Sequence, residues 1–147
     1  MKLIDRDGNV LTKEQIADFL KSKRFEYDEF PQWSQREVLK PDLSNCIAVN
    51  EMNPQLRQVY FNLVAGTTHD SYNGLSWAQM LLSLSGTLDL KKVYELLDDD
   101  KIKEPVRLIK LNDQYFVSGD GNHRVCIGKF GWRSSFPALV TDWVAKF

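Results

Sequence analysis

The apolar positions change their period along the chain, and each change marks an element. Residues 105–111 read Pro-Val-Arg-Leu-Ile-Lys-Leu, an apolar run that alternates with charge. Asn112-Asp113 is a turn pair, and Gln114-Tyr115-Phe116-Val117 is a second short apolar run. Two such runs joined by a two-residue turn predict a β-hairpin. Beyond it, Val125, Ile127, Gly128 and Phe130 continue at roughly helical spacing, and Phe136-Pro137-Ala138-Leu139-Val140 reads as a closing strand.

Upstream, residues 1–11 predict a small hairpin, with Lys2-Leu3-Ile4 and Val10-Leu11 around a turn at Asp5-Arg6-Asp7-Gly8-Asn9. Thr12 with Gln15 three residues on reads as a capping box. Ile16, Phe19 and Leu20 then share one helical face, and that helix is expected to end near Lys23. Residues 25–45 have no clear period, and Pro31 and Pro41 break them. A segment of that kind is a candidate functional loop or arm. Its aromatics Phe25, Tyr27, Phe30 and Trp33 are expected to cover a core, with a presented surface as the alternative.

Cys46-Ile47-Ala48-Val49 is expected as a short buried strand. Asn53-Pro54 then predicts a helix, with proline at its first position. Its buried stripe would be Leu56, Val59, Tyr60, Leu63 and Val64, and Gly66 would close it. Ser76 can cap a helix through Leu84, ended by Gly86, and Asp89 can cap another through Leu97. The expected fold class is α+β, a small mixed sheet with four or five helices. The 147 residues fit one domain. A soft boundary near Gly86 would divide a mostly helical N-terminal extension, 1–86, from a core, 87–147.

Composition narrows the function classes. The apolar fraction of 43% and charged fraction of 27% are those of an ordinary globular protein. A net charge of −1 advertises no nucleic-acid patch and no acidic tail. The two cysteines, Cys46 and Cys126, make no disulfide framework, and a reduced, cytoplasmic setting is expected. Cys126 reads as a small buried hydrophobe. No window approaches a membrane span, and the N-terminus lacks the apolar stretch of a signal peptide.

The candidate chemistry sits where the hairpin ends and the helix begins, at Gly119-Asp120-Gly121-Asn122-His123-Arg124. A helix start carries unpaired N–H groups and the positive end of the peptide dipole. Gly119 and Gly121 permit positive φ and a close approach of backbone to ligand. Asn122 is a good N-cap residue, and His123 and Arg124 add donors. Together these suit a phosphate group. Neither a Rossmann fingerprint nor a P-loop is present. Asp120 and His123 could form a general acid/base pair, or Asp120 could orient the loop while His123 donates to phosphate.

Other clusters are weaker. Residues 67–74, Thr-Thr-His-Asp-Ser-Tyr-Asn-Gly, form a second polar loop. Its His69 and Asp70 could meet Asp120 at a metal, but the spacing matches no zinc pattern and a plain polar loop is the competing reading. Magnesium held by one carboxylate and substrate phosphates remains an option. Asp98-Asp99-Asp100 is expected in a solvated loop, because a helix C-terminus opposes negative charge. Arg133 could reach a phosphate or stay on the surface, and Trp132 and Trp143 are expected to pack the core.

The order strand, turn, strand, G-x-x-R loop, helix, proline-led strand resembles the ParB/sulfiredoxin superfamily. ParB N-terminal domains carry roughly Gly-Glu-Arg-Arg in this loop, sulfiredoxins Gly-Gly-Cys-His-Arg, and here Gly121-Asn122-His123-Arg124 falls on those positions. The likeness spans residues 88–142 and includes Lys103-Glu104-Pro105-Val106 before the hairpin. It implies a ParB/sulfiredoxin-like fold and a nucleotide site for ATP, ADP or CTP, possible Mg2+ included. Arg124 and the amides around 121–123 would hold phosphate. It also implies the possible activities: nucleotide hydrolysis, phosphoryl transfer, or a ParB-like nuclease. A non-catalytic regulatory module with a DNA or protein partner is the alternative. Two departures matter. Asn122 stands where sulfiredoxins carry their nucleophilic cysteine, so sulfinic-acid reduction is not expected. The separate helix-turn-helix domain of some ParB proteins is not expected after residue 147.

Overall fold

The computed structural model describes residues 2–5, 7–84, 89–98 and 105–146. The fold is α+β, with four α-helices among the described residues and a six-stranded mixed sheet. Gly86, Asp99, Asp100, Lys103 and Glu104, and residue 88 where the family likeness begins, lie outside the described residues.

Helix α1 spans Lys13–Ser22 and starts as its sequence predicts. The Thr12 hydroxyl accepts from Gln15 N at 3.1 Å, and Gln15 Oε1 accepts from Thr12 N at 2.9 Å. Such a reciprocal cap contributes about 1 kcal/mol. Helix α2 (Trp77–Ser83) is capped by the Ser76 hydroxyl. Helix α3 (Leu90–Asp98) follows Asp89, whose carboxylate accepts from Lys92 N. Ile4 and Val10 form the bridge of the short N-terminal hairpin.

The strands are β1 (Cys46–Ala48), β2 (Gln55–Tyr60), β3 (Val64–Thr67), β4 (Val106–Leu111), β5 (Gln114–Val117) and β6 (Ser135–Ala145), and helix α4 (Asn122–Lys129) lies between β5 and β6. The order is β1-β6-β4-β5-β3, with β2 also pairing β6. β4 runs parallel to β6, and β3 runs parallel to β5. The β4–β5 hairpin forms as predicted, and its turn residues Asn112 and Asp113 have φ of +51° and +64°. Both central residues left-handed is the hairpin turn whose twist matches the strands.

Residues 53–66 are a correction. The predicted helix is instead β2, a 3-10 turn at Phe61–Leu63, and β3. The stripe Leu56, Val59, Tyr60, Leu63, Val64 fits a helical period, but β2 finds a full antiparallel partner in β6, from Gln55↔Val140 to Tyr60↔Ser135. That distant partner overrides the local period. The stretch 1–86 is therefore not mostly helical, since it supplies three of the six strands. Cys46–Ala48 is a strand, but an edge one, and Ile47 is 52% exposed rather than buried.

The core lies between the sheet and the helices. Val106, Leu108, Val117, Phe136, Ala138 and Val140 from the sheet join Trp77, Leu81, Leu97 and Ile127 from the helices in one cluster. Phe25, Phe30 and Trp33 surround Phe130, with ring centroids 6.1, 5.9 and 4.7 Å away. The aromatics of the aperiodic segment thus cover the core. A smaller cluster, Ile109, Leu111 and Phe116, occupies another part of the sheet and is covered by Leu43, Cys46 and Trp143. Trp143 packs as expected. Trp132 is 66% exposed, because it sits edge-on to Tyr94 in the loop after α4. At the sheet edge, Arg57 donates two bonds to the Asp142 carboxylate, at 3.0 and 2.7 Å, and holds it below the usual carboxylate range. No helix among the described residues is long and apolar enough to cross a membrane.

Candidate functional site

The 119–124 loop follows the carboxyl end of β5, beside the carboxyl end of the parallel strand β3. Ser118 N donates to Arg107 O at 2.9 Å as the chain leaves the ladder. Gly119 then takes φ +79° and Gly121 φ +117°. The second value turns the chain into α4, and Gly121 is the N-cap residue. Asn122 is therefore the first residue inside the helix rather than its cap. The reason is geometric: only a residue without a Cβ occupies φ +117° without strain.

The two glycines differ in what surrounds them. A Cβ on Gly119 would meet nothing within 4 Å. A Cβ on Gly121 would lie 3.0 and 3.1 Å from the Val106 methyls and 3.5 Å from Arg124 Nη2. Gly121 is thus required by its φ and by packing under the loop, whereas Gly119 leaves the open face clear.

A cavity of about 750 Å³ stands over the loop. Gly119, Asp120, Gly121, Asn122, His123 and Arg124 all line it, so every residue of the predicted set is brought together. Pro105, Arg107, His69, Tyr72 and Ser118 also line it. Arg124 is only 8% exposed. Burial pushes its guanidinium pKa down and the nearby Asp120 carboxylate pushes it back up, and an arginine in that balance stays charged. Asn122 is also buried; its Nδ2 donates to Gly119 O at 3.3 Å, and its Oδ1 has no hydrogen-bond partner among the described residues. A buried acceptor without a donor costs about 1–3 kcal/mol, so it marks a place where the loop wants a further group.

Asp120 and His123 line one cavity but make no hydrogen bond or ion pair to each other among the described residues. His123 Nε2 instead shares a bond of 3.2 Å with the Tyr72 hydroxyl. Burial raises the Tyr72 pKa, so that hydroxyl keeps its proton. Tyr72 arrives through the 67–74 loop, which is fixed to the end of β5. Thr68 N and the Thr67 hydroxyl both donate to Val117 O, at 2.9 and 3.3 Å. His69 closes the loop from within: its Nδ1 accepts from Ser71 N at 3.2 Å, which leaves the proton of the neutral ring on Nε2.

Asp70 does not join Asp120. It forms an exposed ion pair with Lys40. No group of three metal-ligating side chains gathers among the described residues, so the His69–Asp70–Asp120 cluster does not form. Among the described residues, Asp120 is the one acidic side chain on the cavity wall. Arg133 lies away from this cavity and is clamped to Asp98 by bonds of 2.7 and 3.0 Å.

No protein-family model, curated protein or solved structure matches the chain. The site therefore stands on its own geometry. Two of its residues were not singled out by the sequence. Arg107 is the charge that interrupts an alternating strand, which places it outward, one residue from the start of β4. Tyr72 carried no signal beyond its place in a polar loop.

Proposed function

We propose that the chain binds a nucleotide, with its phosphates on the 119–124 loop at the amino end of α4. The carrying observation is the loop itself, where left-handed Gly119 and Gly121 lead into a helix start flanked by Arg124 and Asn122. The first amides of α4 face the bound oxyanions, and the dipole of the helix favours their charge. Arg124 supplies a buried cation and Arg107 an exposed one on the same cavity wall. Asn122 Oδ1 suits a ligand hydroxyl or a water carried by Mg2+, and Asp120 is the carboxylate that would share that ion with the phosphates. The likeness of residues 88–142 to ParB/sulfiredoxin domains adds to this reading, and the free thiols Cys46 and Cys126 suit a reducing cytoplasm.

The Tyr72–His123 pair favours one step more, hydrolysis or phosphoryl transfer. A histidine whose Nε2 is oriented by a protonated tyrosine can accept or return a proton beside a phosphate. Calorimetric titration with ATP, ADP, CTP and GTP, with and without magnesium, tests the binding. One of them should bind saturably, and Arg124→Ala should weaken it by about 1.5–3 kcal/mol, the range for hydrogen bonds to charged groups. Absence of binding by all four overturns the proposal. Turnover of the bound nucleotide, lost by about a hundredfold in His123→Gln with affinity kept, tests the chemistry.

A further inference from the structure

The sheet ends in two different ways. Beyond β3 its edge is covered, because Leu39 N donates to Ala65 O at 3.0 Å and Thr67 N donates to Leu39 O at 2.9 Å. Beyond β6 the edge is shared by β1 and β2, and each pairs only with β6 among the described residues. β1 has three residues, the short kind of edge strand that offers little to pair with. β2 has six, and they include no proline, glycine or lysine to blunt the edge.

The hydrogen-bond register decides which groups of β2 are free. Phe61 N donates to Ser134 O at 2.9 Å, one step beyond the pair Tyr60↔Ser135. Bonded and non-bonded pairs alternate along an antiparallel ladder, so Val59↔Phe136, Arg57↔Ala138 and Gln55↔Val140 are the bonded pairs. The N–H and C=O of Leu56, Gln58 and Tyr60 therefore point away from β6. Pro137, which has no N–H, stands opposite Gln58 in agreement with that phase. Val49 N, donating to Asp142 O at 2.8 Å, fixes the same phase further along β6. The three outward residues meet no backbone partner among the described residues. Their side chains share one face, with Leu56 58% and Tyr60 57% exposed. Arg57, the one charge on the strand, points to the other face and is held by Asp142.

These residues match a copy of themselves. One antiparallel register alone engages all three on both chains. It sets Leu56 against Tyr60 of the second copy, Gln58 against Gln58, and Tyr60 against Leu56. A two-fold axis then passes through the Gln58 pair, which closes the assembly as a dimer. Each bonded pair exchanges two hydrogen bonds, so about six would form. An exposed leucine meets an exposed tyrosine on both sides of the axis, an aliphatic–aromatic pair of the kind that stabilises a sheet. No charge faces its like across the axis, and a net charge of −1 per chain leaves little repulsion between copies.

We propose that β2 is a dimerisation edge, pairing antiparallel with β2 of a second copy about a two-fold through Gln58, so that one sheet runs through both chains. None of the nucleotide-site residues takes part.

Sedimentation equilibrium of the full chain without nucleotide, from micromolar to millimolar concentration, tests it. A reversible monomer–dimer equilibrium is expected. Gln58 is exposed, so Gln58→Lys and Gln58→Glu should both fold, with unchanged far-UV circular dichroism. Each alone sets like charges against each other at the axis and should weaken the dimer about tenfold or more. An equimolar mixture of the two should recover the dimer, because opposite charges then meet. Arg124→Ala should leave the equilibrium alone. A monomer at every concentration overturns the proposal and leaves the edge to some other extended chain. A dimer untouched by Gln58→Lys, or a mixture that stays monomeric, overturns it as well, by placing the contact elsewhere.

Discussion

The two ends of α4 treat charge in opposite ways. At the amino end, Gly119 and Asp120 stand exposed, and the cavity wall is built of polar groups. At the carboxyl end, Lys129 is committed to two carbonyls and two indole rings, and the neighbouring glycine is packed hard. The peptide dipole explains part of the contrast, since anions are favoured at one end and a lysine at the other. Packing explains the rest. The carboxyl half of the helix anchors α4 to the turn before β3, so that the amino half can hold its donors at the cavity wall. One helix of eight residues thus separates stability from recognition.

The sharpest way to break that division is Gly128→Ala. A Cβ there would sit 2.6 Å from two ring carbons of Phe61, which is itself buried. Overpacking of this kind costs about 1–3 kcal/mol, read from the urea midpoint. Nucleotide affinity should hardly move. A stabilised Gly128→Ala protein would show that the carboxyl half is not tightly packed.

The loop glycines sharpen the contrast at the amino end. Gly121→Ala should lose about 1–2 kcal/mol of stability, from its φ of +117° and from the pressure on Val106. It should also lose nucleotide affinity, because the loop must ease away from the Val106 methyls that such a Cβ would meet at 3.0 and 3.1 Å. Gly119→Ala, in open space at φ +79°, should cost about 1 kcal/mol or less. Equal melting temperatures for the two variants would remove the distinction between them.

Lys129 ties the carboxyl end to pH. Its folded pKa of about 8 lies below the ordinary 10.5, so the unfolded chain binds more protons between those values. Stability from this group therefore rises with pH, by about 1 kcal/mol from pH 8 to pH 9. Burial pushes the Cys126 thiol up from 9.0, which removes stability above that pH and offsets part of the gain. Lys129→Met should abolish the rise, and Cys126→Ala should enlarge it, in urea titrations at pH 8 and 9. The smallest effect is expected for Tyr72→Phe. Losing a half-exposed hydrogen bond costs about 0.5–1 kcal/mol at most, read from the urea midpoint.

Legibility in the sequence followed the range of the interactions. Thr12, Ser76 and Asp89 announce their helices because a cap is a bond across three residues. The Asn112-Asp113 turn and the 119–124 loop are equally local, and both were readable. Residues 55–60 were misread because β2 is a strand only through its pairing with 135–140, some eighty residues away. The candidate site divides along the same line. Its loop could be read, but Tyr72 reaches His123 only because β3 lies beside β5, and no local pattern encodes that pairing.

The place of β6 has a consequence for how the chain is made. This strand runs between β4 on one side and β1 and β2 on the other, yet it follows all three in the sequence. On the ribosome, β1, β2 and β4 emerge with their central partner still unsynthesised. At about 5–20 residues per second, the exposed strand edges wait seconds for it. Folding of the sheet is therefore timed by the exit of residues 135–145 from the tunnel, and nascent chains stalled before that point should be the species that chaperones hold.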